Sequence, residues 1–121
     1  MAKVFDLDER TFLFAKSVLG FVNTLPRTVI NTEIVKQLIR SSTSIGANYI
    51  EASEFLGKKD FGLRIKISRK EAKETIYWLK LLETNGEDNQ KRDALVNEAT
   101  ELMKIFGAII VKASNINQDQ N

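Results

Sequence analysis

The groups in this chain that could do chemistry are carboxylates, serines and a dense run of lysines and arginines. Two Glu-x-x-Glu pairs, Glu51 with Glu54 and Glu71 with Glu74, each set two carboxylates on one turn of a helix. Helical bundles that hold paired iron or manganese ions combine such carboxylates with Glu-x-x-His motifs from facing helices. The sequence contains no histidine and no cysteine, so that pattern fails and a thiolate metal site has no ligands. The commonest general base is missing as well. A carboxylate-only magnesium site is the one metal reading left, and surface Glu-x-x-Glu pairs are commonly just solvated. Ser41, Ser42 and Ser44 have no evident base to activate them. The expectation is a protein without catalytic residues, metal or cofactor, built for binding and assembly.

The cations carry more information. From 58 to 73, Lys58, Lys59, Arg64, Lys66, Arg69, Lys70 and Lys73 stand against only Asp60 and Glu71. At about 100° per residue, Lys66, Arg69, Lys70, Lys73, Tyr77 and Lys80 gather on one side of a helix. From 87 to 101 the balance reverses, with Glu87, Asp88, Asp93, Glu98 and Glu101 against Lys91 and Arg92. A chain of net charge +2 therefore has a basic side, the electrostatic footprint of phosphate-backbone binding. The alternative is a solvated lysine face in which Glu71 and Glu74 pair with Lys73 or Lys70.

Four helices must position these groups. One proline and six glycines in 121 residues leave few breakers, and this length suits a single domain over 1–121. The spacing predicts helices at about 8–25, 32–56, 60–84 and 88–114, with a frayed polar tail at 115–121. Asp6 or Asp8 should cap the first, Asn31 or Thr32 the second, and Asp60 the third. Asn85-Gly86 should stop the third helix. The core rows read Phe12, Ala15, Val18, Leu19, Val22, Leu25 in the first helix and Val35, Leu38, Ile39, Ser42, Ile45, Tyr49, Ala52, Leu56 in the second. In the fourth the row is Leu95, Ala99, Leu102, Met103, Phe106, Ile109, Ile110, Ala113. Short connections make the arrangement an all-α, antiparallel, up-down-up-down four-helix bundle. The small residues from Ser41 to Ala47 would let a neighbouring backbone come close or line a ligand niche. A single Gly46 gives no phosphate-binding nest. No apolar stretch approaches the roughly 18–20 residues of a membrane span and the start lacks a signal core, so the expected location is cytoplasmic.

The third helix has three faces. Phe61, Ile65, Ser68, Ala72 and Leu79 should meet the core, the lysines lie opposite, and Leu63, Ile67, Trp78 and Leu81 form an apolar strip between them. One bundle needs one apolar face, and tryptophan is enriched at interface centres. Phe14 and Phe21 widen the apolar arc of the first helix similarly. The reading is a homo-oligomer with Trp78 and Phe14 or Phe21 near its seams; the alternative is a wide core that takes both strips.

Two blocks, 36–52 (KQLIRSSTSIGANYIEA) and 60–79 (DFGLRIKISRKEAKETIYWL), resemble the four-helix-bundle family encoded within bacterial 23S rRNA intervening sequences. The opening Phe5-Asp-Leu-Asp-Glu-Arg-Thr-Phe12 and the Leu25-Pro26 step fit too, so the resemblance spans about 5–110. It implies a ring-like homopentamer, related to the accessory protein of diversity-generating retroelements. That protein binds nucleic acid and a reverse transcriptase through its basic surface. By motif, Arg40 in the first block and Arg64, Lys66, Arg69, Lys70 and Lys73 in the second become expected RNA or DNA contacts. Asn48 and Glu51 become expected bridges between helices. The competing function is a scaffold whose partner is an acidic or helical polypeptide.

Overall fold

In the structure, a computed structural model, four helices follow one another: α1 (Leu7–Val22), α2 (Val29–Ser53), α3 (Lys58–Leu81) and α4 (Glu87–Gln120). It describes residues 6–54 and 57–120, with side chains for all of these except 58 and 116–120. No strand occurs among the described residues.

Each helix packs against its sequence neighbours, and α1 also packs against α4, closing a four-cornered bundle. The cross-links run antiparallel. Arg10 meets Glu98 while Thr24 meets Asp88. Asn31 meets Glu83, Arg40 meets Glu74, and Asn48 meets Arg64. The expected up-down-up-down bundle is the observed architecture.

The ends of the helices differ from expectation for local reasons. Asp6 caps α1, accepting the Glu9 N–H at 3.2 Å, with Asp8 and Glu9 favourably placed in the first turn. The helix stops at Val22 rather than 25, because a residue before proline disfavours the helical region; the Thr24 N–H and hydroxyl both turn back to Phe21 O. Thr28 caps α2, accepting the Asn31 N–H at 3.0 Å. Asn31, expected as the cap, is instead buried inside the first turn. Gly57 precedes α3 and Asp60 sits within its first turn without capping it. The third helix ends at Leu81, since Leu82 turns extended and enters the core. Gly86, expected as the stop of α3, takes φ +50° one residue before α4. There it turns the chain into the last helix in a conformation that favours glycine. α4 continues to Gln120, past the expected end at 114. Leu56, and with it the expected end of the second helix, lies outside the described residues.

The core of α2 and α4 follows the predicted rows: Leu38, Ile45 and Ala52 share one buried cluster with Leu95, Ala99, Leu102 and Phe106. The face of α1 follows its predicted row only at Val18 and Leu25. Its buried row is Leu7, Thr11, Phe14, Val18, Phe21, continued by Leu25, while Phe12 and Leu19 are 60% and 39% exposed. The row alternates steps of four and three, the spacing of a bundle seam. A polar Thr11 within it disguised it in the sequence. Phe14 and Phe21, expected at an oligomer seam, are therefore core residues, 3% and 5% exposed.

The small residues of α2 serve close approach. Ser68 Oγ donates to Ile45 O at 2.9 Å, and Thr75 Oγ1 donates to Ser41 Oγ at 2.9 Å. A Cβ on Gly46 would stand 2.8 Å from Thr11 Oγ1 and 3.1 Å from Thr11 Cβ. Hydroxyls thus join α2 to α3, and a missing methyl lets α1 onto α2.

Candidate nucleic-acid interface

The rotation of α3 about its axis decides what it shows to solvent. Ile65, Ser68, Ala72, Thr75 and Leu79 are fully buried, and the hydroxyl contacts to α2 hold that orientation. Glu71 is buried among them at 7% exposure. A carboxylate in such a place needs a cation, and Arg40 of α2 supplies it, with Nη1 3.3 Å from Glu71 Oε1. Arg40 Nη2 donates to Glu74 Oε1 at 2.9 Å.

With that face turned inward, Lys66, Arg69, Lys70, Lys73 and Lys80 are all exposed. Lys66, Lys70, Lys73 and Lys80, with Tyr77, follow at steps of four and three and so form one row; Lys59 begins it seven residues earlier. At 1.5 Å per residue the row spans roughly 32 Å. Arg69 lies on its α4 flank, its Nε 3.5 Å from where a Cβ of Gly107 would be. Near the start of α3, Lys59, Leu63 and Lys66 line a cleft of about 350 Å³ against Ile110 and Ser114.

Three acids of α4 are engaged with other cations, while Asp60 lines the cleft beside Lys59 and Lys66. Glu98 binds Arg10 through two bonds of 2.7 and 2.8 Å, and that hydrogen bonding raises the Arg10 pKa above its ordinary value. Asp93 pairs with Arg92 and Glu101 with Lys104. Among the described residues, the one ion pair on the row joins Lys70 to Glu74 Oε2 at 3.9 Å. Among the described residues no ion pair holds Lys59, Lys66, Arg69, Lys73 or Lys80.

The expected contacts therefore divide. Lys59, Lys66, Arg69, Lys70 and Lys73 come together as one basic surface. Arg40 and Arg64 sit on the α2 flank and are already engaged, Arg64 donating to Asn48 Oδ1 at 3.0 Å. Asn48 thus bridges two helices as expected; Glu51 is exposed and makes no such bridge among the described residues. The side chain of Lys58 lies outside the described residues.

The apolar strip of α3 divides too. Leu63 and Leu81 are 55% and 44% exposed, whereas Ile67 is half-buried and Trp78 packs partly against the core. Sequence reasoning missed a second apolar surface. Phe12, Ala15 and Leu19 of α1 face Ala47 and Ile50 of α2 across a groove of about 310 Å³. The signal was present in the double apolar arc of α1: Val18 and Leu25 are core as expected, but Phe12 and Leu19 change places with Phe14 and Phe21. No helix among the described residues is long and apolar enough to cross a membrane.

Comparison with known proteins agrees with the motif blocks. The family described as 23S rRNA-intervening sequence protein matches residues 5–108. No curated protein matches the chain. A solved structure from Bacteroides thetaiotaomicron VPI-5482, described as a protein with unknown function from the S23 ribosomal protein family, is similar at 34% identity and a TM-score of 0.72. The alignment covers 85% of this chain and 96% of that one. With the family match covering most of the sequence and both motif blocks lying inside it, the chain belongs to the 23S rRNA-intervening sequence protein family.

Proposed function

We propose that this bundle is a non-enzymatic, cytoplasmic, homo-oligomeric protein that binds the phosphate backbone of RNA or DNA through the lysine row of α3. One observation carries the reading: from Lys66 to Lys80 the row is exposed, and among the described residues only Lys70 of the row is in an ion pair. Lysines on such a surface bind phosphates by charge and counterion release, without reading sequence. The family's link to rRNA intervening sequences makes structured RNA the first ligand to try. Exposed Leu63 and Leu81, with Phe12, Leu19 and Ile50 on the opposite flank, support self-association; five subunits is the number the family resemblance suggests. In a ring the row would repeat, and multivalency would strengthen each contact. A reverse-transcriptase-like protein remains a partner suggested by resemblance alone.

Anisotropy titration against rRNA fragments at two salt concentrations tests the binding. Affinity should fall steeply with salt, and Arg69→Glu with Lys70→Glu should abolish it. Absence of binding at low salt, or indifference to the double reversal, defeats the reading; capture of a protein partner that survives nuclease favours the scaffold function instead. Light scattering tests assembly, and a strict monomer at micromolar concentration rules it out.

A further inference from the structure

Tyr77 belongs to the lysine row but carries no charge. Lys73 precedes it by four residues, Lys70 by seven and Lys66 by eleven, and Lys80 follows by three, all intervals that keep one side of a helix. The residue is 59% exposed, a large aromatic between Lys73 and Lys80 towards the C-terminal end of the lysine row. Behind it stands Trp78, edge-on at 72° with the ring centroids 5.0 Å apart. Trp78 is itself set partly into the core, with its indole nitrogen buried. The tyrosine ring is thus supported from within and open to solvent outside.

An aromatic face among cations is the arrangement that holds unpaired bases, the cations taking phosphates while the ring stacks on a base. A closed duplex offers no free base face, so an aromatic ring gains nothing from it. We propose that Tyr77 is a base-stacking platform, and that the α3 row takes single-stranded nucleic acid or unpaired loops in preference to duplex. This rests on the nucleic-acid reading above and adds the class of ligand. RNA and DNA share the required chemistry of base face and phosphate.

The experiment measures anisotropy of the full-length protein with labelled oligonucleotides of about 16 nucleotides, as single-stranded RNA, single-stranded DNA and the duplex of each. Pure charge attraction favours the duplex, which carries the denser phosphate charge; the platform reverses that order. Single strands should bind about tenfold tighter than duplex and quench Trp78, the sole tryptophan, which adjoins the stacking ring. Tyr77→Ala should cost about tenfold on single strands and leave duplex binding unchanged, Tyr77→Phe should retain affinity, and Lys73→Ala should weaken both ligands. The tighter of the two single strands identifies the source. Duplex binding equal to or tighter than single strands, or a Tyr77→Ala loss equal on both, overturns the stacking role while leaving the backbone-binding reading intact. No binding by any oligonucleotide at low salt overturns both.

Discussion

Asn31, in the first turn of α2, holds the backbone of Glu83, in the connection after α3, by both its N–H and its carbonyl. Its Oδ1 accepts the Glu83 N–H at 2.8 Å and its Nδ2 donates to Glu83 O at 3.0 Å. The same Nδ2 donates to Pro26 O at 3.0 Å. One amide therefore fastens both connections at that end of the bundle, at a position 2% exposed.

Asn31→Leu should cost about 3 kcal/mol, because it strands backbone groups away from water. Asn31→Asp retains the acceptor but not the donor and should fall between. Urea unfolding midpoints check the order; a leucine variant as stable as the parent would show that the two connections hold without the amide.

Gly46→Ala should destabilise by about 1–2 kcal/mol, although alanine is intrinsically the better helix former by up to about 1 kcal/mol. The new methyl would press on Thr11, which is buried and bonded to Leu7 O at 2.7 Å. Combining it with Thr11→Ala removes the closest atom and should recover part of the loss. Thermal melts of the two single variants and the double give the coupling directly.

Arg40→Ala should lower stability by about 1–2 kcal/mol, more than Glu74→Ala, since it leaves the buried Glu71 carboxylate without its partner. The same variant should keep its affinity for nucleic acid while Lys73→Ala loses affinity without loss of stability. Denaturation and binding titrations on one preparation separate the two roles.

Tyr49 packs against Phe106, with ring centroids 6.0 Å apart. Burial, with smaller contributions from Asp8 and Asp6, raises its phenol above the ordinary value of 10.0. The unfolded chain loses this proton first, so its contribution to stability is complete below the ordinary value and disappears as pH rises through the folded one. Unfolding midpoints from about pH 8 to about pH 11 should fall less steeply in Tyr49→Phe than in the parent. Identical slopes would remove Tyr49 from the alkaline transition.

Much of this was legible in the sequence because apolar spacing and charge spacing are properties of a single helix. The lysine row of α3 and the buried rows of α2 and α4 needed no tertiary knowledge beyond which side faces inward. What escaped was decided by neighbours. Thr11 reads as a surface residue until Gly46 is seen against it, and that misreading turned α1 by part of a turn and sent Phe14 and Phe21 to the surface. Asn31 reads as a cap because asparagine caps well; its true partner is 52 residues away. Arg40 reads as one more cation until Glu71, a charged residue in an inward row, is found to need it.

The hydroxyl contacts between α2 and α3 act as a ruler. Apolar side chains tolerate sliding by a turn, but Ser41 with Thr75 and Ser68 with the Ile45 carbonyl match at one axial setting only. A shift of one turn, about 5.4 Å, would break both contacts and draw the buried Glu71 away from Arg40. α3 is therefore held at a single height relative to its neighbour, and every charge it displays is presented on a fixed scale. A ligand that touches the protein at several points meets the same intervals each time.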